Sequence, residues 1–513
     1  MKKLLTSVMS LMTALSLTFG ASACTAIYVG GDYTESGNPI FSRIEDLSNS
    51  YNKVYNVVPA GVHKAGEAYE GCYGFTYTFT HDSYGYNAFQ DDNLSGTCPD
   101  CDGTHTHTPY QAAGTNEMGV SMTATETLGN NEAIDAVDPM NYDTGIEEAD
   151  ITTVILSEAA TAKEGVELLT KIYDEKGCQG GSGIFIADQK EIWYIENTTG
   201  SQYVAVKLNN GVCFLEPNMS VIGLVDLDDT DNVIASKDLI AKAKEAGTFV
   251  GNEEENQIDF MQSYETGYVG IRMINGLNFV TGSNYAEGDV KAEDYVISNV
   301  GEDGSIVPFA SKVVPAKKFT VSDVAAYQSL PTIGTPRNLE THIFEINPDA
   351  DVKVGAVEWV SMNDNAFSLF VPYYPMMTTD VFDAYKVGTE PAVFTEEKPE
   401  EGFFYPTTSK KKVDDEWVTV EGYKTLPAGW ETSYYWTFDA LSNYCEYVNP
   451  DCAEEVKAKL ADVQAEIDAE FLVMKASVED GTATPESLTA ASSALAEKAF
   501  TAAGTILAEQ MNK

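Results

Sequence analysis

The sequence predicts an α+β fold in which antiparallel strands pair within sheets and helices cover them. Three features carry that expectation. "CTAIYVGG" (24–31) is β-branched and aromatic, is closed by glycines, and is returned by "PIFSRIEDLS" (39–48). A strand meander follows a helical stretch in the middle of the chain. The last stretch, residues 452–512, is helical.

Taken in order, "DYTESGN" (32–38) supplies the turn that makes the first two runs a hairpin. Residues 60–110, rich in Tyr, Gly, Asp and Thr, read as a strand-and-loop insertion. "NEMGVSMTATET" (116–127) is a strand opened by a turn. From Ile151 to Lys176 the apolar residues Val154, Ile155, Ala159, Val166, Leu169, Ile172 and Tyr173 recur at helical spacing, which predicts a helix. Gly177 and "GGSG" (180–183) stop it. "IFIAD" and "EIWYIEN" are strands on either side of Gln189 and Lys190, and "GSQYVAVKL" continues the meander.

"NVIASKDLIAKAKEAG" (232–247) reads as a helix closed by Gly247. "GAVEWVSM" and "AFSLFVPYYP" are strands among long loops, and residues 452–512 form two antiparallel helices broken near "EDGTATPES". No internal repeat or low-complexity linker divides the chain. The expected organisation is a leader at 1–23, one large domain with insertions at 24–448, and a helical extension at 449–513 packed on it.

A chain of 513 residues, 43% hydrophobic and 11% aromatic, buries a large core and is not of disordered composition. Asp and Glu number 79 against 31 Lys and Arg, a net charge of −48. Such a surface repels phosphate backbones, which excludes nucleic acid and anionic membranes as natural partners. Only three residues are arginine, Arg43, Arg272 and Arg337, so each is a candidate fork for a carboxylate.

The first 23 residues have the form of an export signal: Lys2 and Lys3, an apolar run from Leu4 to Phe19, then Ala21-Ser22-Ala23 as a cleavage site. No later segment is long and apolar enough to span a bilayer. The expectation is a protein released to the periplasm or the medium, without a membrane anchor, that begins at Cys24. A homo-oligomer is compatible with this reading and not required by it.

Export permits disulfides, yet setting Cys24 aside leaves seven of the eight cysteines, an odd number. "CPDCDGTHTH" (98–107) gathers Cys98, Cys101, His105 and His107, the ligand types zinc prefers. The histidine spacing is not the usual one, so a disulfide or a pair of free thiols stands beside a structural metal as the alternatives. No cofactor is called for by any other motif.

Cys24 admits two chemistries. Lipid attachment normally follows a Leu three residues upstream, where this chain has Ala21, and precedes a polar tether, whereas Thr25 to Val29 enter a strand at once. Nucleophilic catalysis has its parts in place. Cleavage after Ala23 would put a thiol and an α-amine on one residue, and the amine, with an ordinary pKa of about 7.7–8.0, can take the thiol proton near neutrality. The base that such a nucleophile needs is then supplied without any histidine, of which the chain has five.

"CTAIYVGG…GNPIFSRIEDLS" resembles the start of PepD-type dipeptidases, which are N-terminal-nucleophile (Ntn) cysteine hydrolases related to penicillin V and conjugated bile acid hydrolases. The resemblance continues through "TNEMGVSMTATET", "IWYIENTTGSQYVAVKL", "SLFVPYYP" and "YYWTFDALSN", over most of the chain after Cys24. It implies a four-layer αββα Ntn sandwich with loop insertions and the C-terminal helical pair. It also implies attack of Cys24 Sγ on an amide carbonyl to form a thioester that water hydrolyses. Arg43 would favour thiolate and Asp46 would hold the α-ammonium. A regular strand sets residues 43 and 46 on opposite faces, so the strand must bend or end near Glu45 for both to reach Cys24.

The same resemblance marks Asn116 as an oxyanion donor and Glu126 as a site for a free substrate ammonium. A turn-forming Asn and a solvated Glu are the plainer alternatives. Trp193, Glu196 and Trp436 read as core and layer packing. The function implied is hydrolysis of unblocked dipeptides. A related linear-amide hydrolase acting on bile-acid conjugates or penicillin V, and a non-catalytic lipoprotein acylated at Cys24, are the alternatives.

Overall fold

The computed structural model describes residues 24–47, 51–71, 73–92, 109–265, 269–413 and 416–513. The expected leader at 1–23 and the Cys98, Cys101, His105 and His107 cluster lie outside the described residues.

Two large antiparallel sheets form the centre of the molecule. In chain order their strands are β1 (Thr25–Val29), β2 (Ile40–Asp46), β3 (Lys53–Val58), β4 (Tyr86–Asp91) and β5 (Gln111–Asn116). Then come β6 (Ser121–Glu126), β7 (Ser182–Ala187), β8 (Ile192–Asn197), β9 (Tyr203–Leu208) and β10 (Cys213–Glu216). The last four are β11 (Val233–Ala235), β12 (Asn338–Ile346), β13 (Ala356–Met362) and β14 (Val371–Tyr373). One sheet runs β10-β1-β2-β12-β13-β14 and the other β11-β9-β8-β7-β6-β5-β4-β3.

The sheets pack face to face through aromatic side chains. Phe185 of β7 stacks on Phe41 of β2 with ring centroids 5.2 Å apart, and Tyr194 of β8 meets Phe214 of β10 at 4.9 Å. Alternation along a strand then sends the neighbours Ile184 and Ile186 to the opposite face. There they pack with Val154, Ile155, Val166 and Leu169 from α1 (Glu148–Glu158) and α2 (Ala162–Lys176). On the other sheet lie α3 (Ile271–Thr281) against β10, α4 (Val321–Gln328) against β2 and β12, and α5 (Tyr434–Asn443) against β13. The layer order is the αββα sandwich that the resemblance implies.

The helical pair is α6 (Ala453–Glu479) and α7 (Pro485–Met511). It docks on the sheet edge: Ser492 donates to the Pro372 carbonyl at 2.7 Å, and Gln464 bonds both backbone groups of Phe370 at 2.8 and 3.0 Å. Leu460, Leu488 and Leu495 belong to the same core cluster as the strand residues Phe41 and Val360. The pair is therefore part of the helical layer. Among the described residues, no helix is long and apolar enough to cross a membrane.

Two sequence expectations change in detail. The helix expected over 151–176 is two helices, because the Thr161 hydroxyl accepts the Glu164 N–H and starts α2 afresh. Both halves lie on the same sheet, which is why the apolar period runs through the break. In 232–247, Val233–Ala235 pairs with β9 as a strand, and only Leu239–Ala246 is helical, ending at Gly247 with φ 76°. The β-branched pair Val233-Ile234 prefers the sheet edge to an exposed helical turn.

Candidate active site

Cys24 stands immediately before β1 and is fully buried. The hairpin register pairs Thr25 with Ile44 and Ala26 with Arg43, so β2 delivers Arg43 to the head of β1. Its Nη2 lies 3.4 Å from Cys24 Sγ, 3.3 Å from the Tyr110 hydroxyl and 2.8 Å from Glu148 Oε1. Nη1 is 3.6 Å from Glu340 Oε1, which also takes His342 as a neighbour, with Nδ1 2.9 Å from Oε2. A buried guanidinium needs such partners, because its desolvation is not recovered by one contact alone. Glu148 is the first residue of α1, where the helix N-terminus favours a negative charge.

Asp46 approaches Cys24 differently. Its backbone N–H serves the Cys24 sulfur. Its carboxylate is turned to Arg272 Nη2 and to the amide of Asn338. Arg272, the second residue of α3, also donates from Nη1 to Thr25 Oγ1 at 3.0 Å. Thus the Arg272–Asp46 fork closes over the residue next to Cys24. The expected irregularity near Glu45 is in the partner strand: Asn338 faces Asp46 but Glu340 faces Glu45, so the β2–β12 register shifts there.

Burial pushes the Cys24 thiol up to about 12; Arg43 pulls it down, while Glu148 and Glu45 push it up further. Glu45 lies opposite an equally buried cation, with Lys53 Nζ 2.8 Å from it and 2.6 Å from Asp91. Burial raises Glu148 to about 7 against the pull of Arg43. A thiol held so high does not ionise by itself near neutral pH; it needs a base.

Next to Glu148, the carboxylate oxygens of Glu126, Glu147 and Glu148 lie within 4.8 Å of one another. Burial, then the neighbouring Glu126, raise the Glu147 carboxyl well above its ordinary range. Three acids so close disfavour full ionisation and favour a cation among them, either a metal ion or an ammonium group.

Asn116 has another task than the one expected. Its amide donates to the carbonyls of Leu156 and Ala159 at 3.0 and 2.8 Å, and its oxygen accepts the N–H groups of Met118 and Val120 at 3.0 Å each. Both amide hydrogens are committed, and the side chain ties the β5–β6 turn to the end of α1. The expectation of an oxyanion donor at Asn116 is corrected to a turn-forming residue. Trp193 and Trp436 are fully buried in the core, as their sequence context suggests.

A different Asn follows the strand on the other flank of β1. β10 flanks β1 on the side away from β2, with Ala26 opposite Glu216. The pairing ends at Ala26–Glu216, and Asn218 lies two residues past Glu216 as Cys24 lies two before Ala26. Asn218 has a left-handed backbone, φ 64°. Sequence reasoning missed Asn218, Tyr110, Glu148 and Glu340, because each reaches the site through strand order or helix placement. Arg272 carried a signal, the rarity of arginine.

Two facing sheets with helices on both outer faces thus make an αββα sandwich, and a buried cysteine stands at the head of one of its inner strands. The model of peptidase family C69 matches residues 23–326 and 289–398, and the chain belongs to that family of peptide hydrolases. It is similar to a probable dipeptidase B of Streptococcus pyogenes serotype M1, with 32% identity over 393 residues, covering 72% of this chain and 76% of the relative. It is also similar to a probable dipeptidase of Salmonella dublin, with 29% identity over 378 residues, covering 69% of this chain and 81% of the relative. Among solved structures it is similar to a penicillin V acylase from Agrobacterium tumefaciens at 13% identity and a TM-score of 0.30, over 68% of this chain and 85% of that one.

Proposed function

We propose that this protein is an exported dipeptidase that hydrolyses unblocked dipeptides through an N-terminal Cys24 freed by removal of residues 1–23. The observation that carries the reading is the contact of Arg43 with Cys24 Sγ at 3.4 Å beside the Glu126–Glu147–Glu148 carboxylates. The first is a cation against a nucleophile; the second is a receptor for a free α-ammonium one residue from a scissile bond.

In the unprocessed chain the Cys24 nitrogen is a peptide amide and cannot accept a proton. Once free, the α-amine takes the thiol proton, and the guanidinium of Arg43 stabilises the thiolate. Sγ attacks the substrate carbonyl, and the side chain of Asn218 faces the oxyanion. The α-ammonium then protonates the leaving amine as the C–N bond breaks, leaving a thioester. Water, deprotonated by the same amine, releases the acid and restores the thiol. The substrate ammonium sits with Glu126 and Glu147, and Glu148 holds Arg43.

Acylation of Cys24 by lipid would displace the Arg43 guanidinium that stands 3.4 Å from the sulfur, a contact that a nucleophile uses and a tether does not. The test is N-terminal sequencing and mass of protein from the exported fraction, followed by assay of free dipeptides beside their N-acetyl derivatives. A free Cys24 terminus, hydrolysis of the unblocked dipeptides alone, and loss of activity in Cys24→Ala are expected. A blocked terminus, or equal turnover of N-acylated substrates, would sink the reading.

A further inference from the structure

Glu196, from the "IWYIEN" run that reads as packing, has a more specific occupation. It is buried, as are Glu216 and Glu265, and among the described residues no lysine or arginine lies within ion-pair distance of the three. Buried carboxylates without a cation are costly and must be satisfied by hydrogen bonds. One short segment supplies most of these bonds, beside a 3.0 Å bond from the Thr127 hydroxyl to Glu216. Met219 donates its N–H to Glu216, and Ser220 its N–H to Glu265 at 2.8 Å. Val221 and Ile222 donate theirs to Glu196 at 2.7 and 3.3 Å. The Ser220 hydroxyl also donates to Glu196, and Tyr194 steadies that carboxylate from 3.1 Å.

Four consecutive backbone N–H groups thus end on three glutamates that come from the end of β8, the end of β10 and the residue after the short helix Phe260–Tyr264. An ordinary sheet would give such N–H groups to a neighbouring strand. Here the chain has left β10 through the left-handed Asn218, and past Asn218 no ladder holds residues 219 and 220. The glutamate oxygens instead take these N–H groups, on the segment that directly follows Asn218 and the last β1–β10 pair.

We infer that Glu196, Glu216 and Glu265 are positioning residues that fix the 219–222 backbone and thereby hold Asn218 in register with Cys24 and the oxyanion of the reaction. The inference rests on the reading of Asn218 as the oxyanion donor. Glu196 carries most of the clamp, since it takes two N–H groups and the Ser220 hydroxyl. None of the three touches the substrate; they act through Asn218.

The test uses the processed protein and the variants Asn218→Ala, Glu196→Gln, Ser220→Ala and the Asn218→Ala/Glu196→Gln double. Glu196→Gln keeps the shape but turns one acceptor into a donor facing other donors. Its kcat on a free dipeptide should fall about ten- to a hundredfold, within the loss typical of an oxyanion donor, with KM unchanged. Alkylation of Cys24 by iodoacetamide, which forms no oxyanion, should keep its rate. The double variant should be no slower than Asn218→Ala alone. Ser220→Ala, which removes a single hydroxyl, should show the same pattern in smaller measure and serves if Glu196→Gln does not fold.

A wild-type kcat in both clamp variants would overturn the inference, as would multiplicative losses in the double or a parallel fall in alkylation. If Asn218→Ala itself keeps full kcat, the reading of Asn218 fails first, and the clamp has nothing to position.

Discussion

Arg43 places Nη2 3.4 Å from the sulfur of Cys24, with the guanidinium wholly buried and its other contacts on Glu148, Tyr110 and Glu340. Burial opposes its charge, and the surrounding Tyr110, Cys24, Glu148 and Glu45 retain it. The thiol therefore has a fixed cation beside it, and in the unprocessed chain its own nitrogen is an amide that cannot serve as base.

Removal of that cation should be read in two ways. Arg43→Ala leaves Glu148 and Glu340 without their shared cation, a loss of about 3–5 kcal/mol of stability. Arg43→Lys keeps a charge and loses the fork. It should fold, with kcat lower by about a hundredfold, comparable to loss of an electrostatic stabiliser. Steady-state kinetics beside a thermal melt separates the two effects; a fully active Arg43→Lys would remove Arg43 from the chemistry.

Processing should switch activity on. A chain whose Ala21 and Ala23 are replaced by bulky residues keeps the leader, and its Cys24 nitrogen stays an amide. Such protein should show the unprocessed mass and no dipeptide hydrolysis, while protein beginning at Cys24 is active. Activity of the unprocessed chain would mean that another group serves as base.

Asn116→Ala offers a contrast with Asn218→Ala. It removes four bonds from a buried turn, of which the Leu156 and Ala159 carbonyls are left unpaired. A loss of about 2–3 kcal/mol in denaturant unfolding is expected, with kcat of the folded fraction unchanged. A selective loss of kcat would return Asn116 to the site.

Stability should fall as pH rises from about 4 towards 8. Burial lifts Glu148, Glu196, Asp150 and Asp364 to about 7, and Glu265 and Glu358 to about 8. Each is an acid whose folded pKa exceeds its unfolded one. Its contribution is complete below pH of about 4 and is lost as pH climbs through 7 and 8. The melting temperature should be higher at pH 6 than at pH 9; a flat or rising profile over that span would contradict the burial of these groups.

Cys445 and Cys452 bring their sulfurs to 3.6 Å where α5 gives way to α6, both buried. In an oxidising compartment a thiol–disulfide exchange catalyst would join them, since bonded sulfurs need only close to about 2.05 Å. Protein from the exported fraction should be lighter by two hydrogens at this pair and melt lower after reduction. Two free thiols in that fraction would refute the bridge.

Much of this protein is determined by its sequence alone. The first hairpin follows from two apolar runs around "DYTESGN", and the α6–α7 pair from its composition and its "EDGTATPES" break, because turns and periodicity are local. Cys24, Arg43 and Asp46 stand in one hairpin, so their nearness is also local. Tertiary structure decided the rest. Glu148 meets Arg43 because α1 begins over β5, Arg272 meets Asp46 because α3 lies on the opposite layer, and Asn218 follows β10, which pairs with β1 across 190 or so residues of chain. Asn116 shows the converse: its motif suggested chemistry, but its four hydrogen bonds exist only because α1 ends above the β5–β6 turn. Strand order and layer packing bring distant residues together, and no local pattern encodes them.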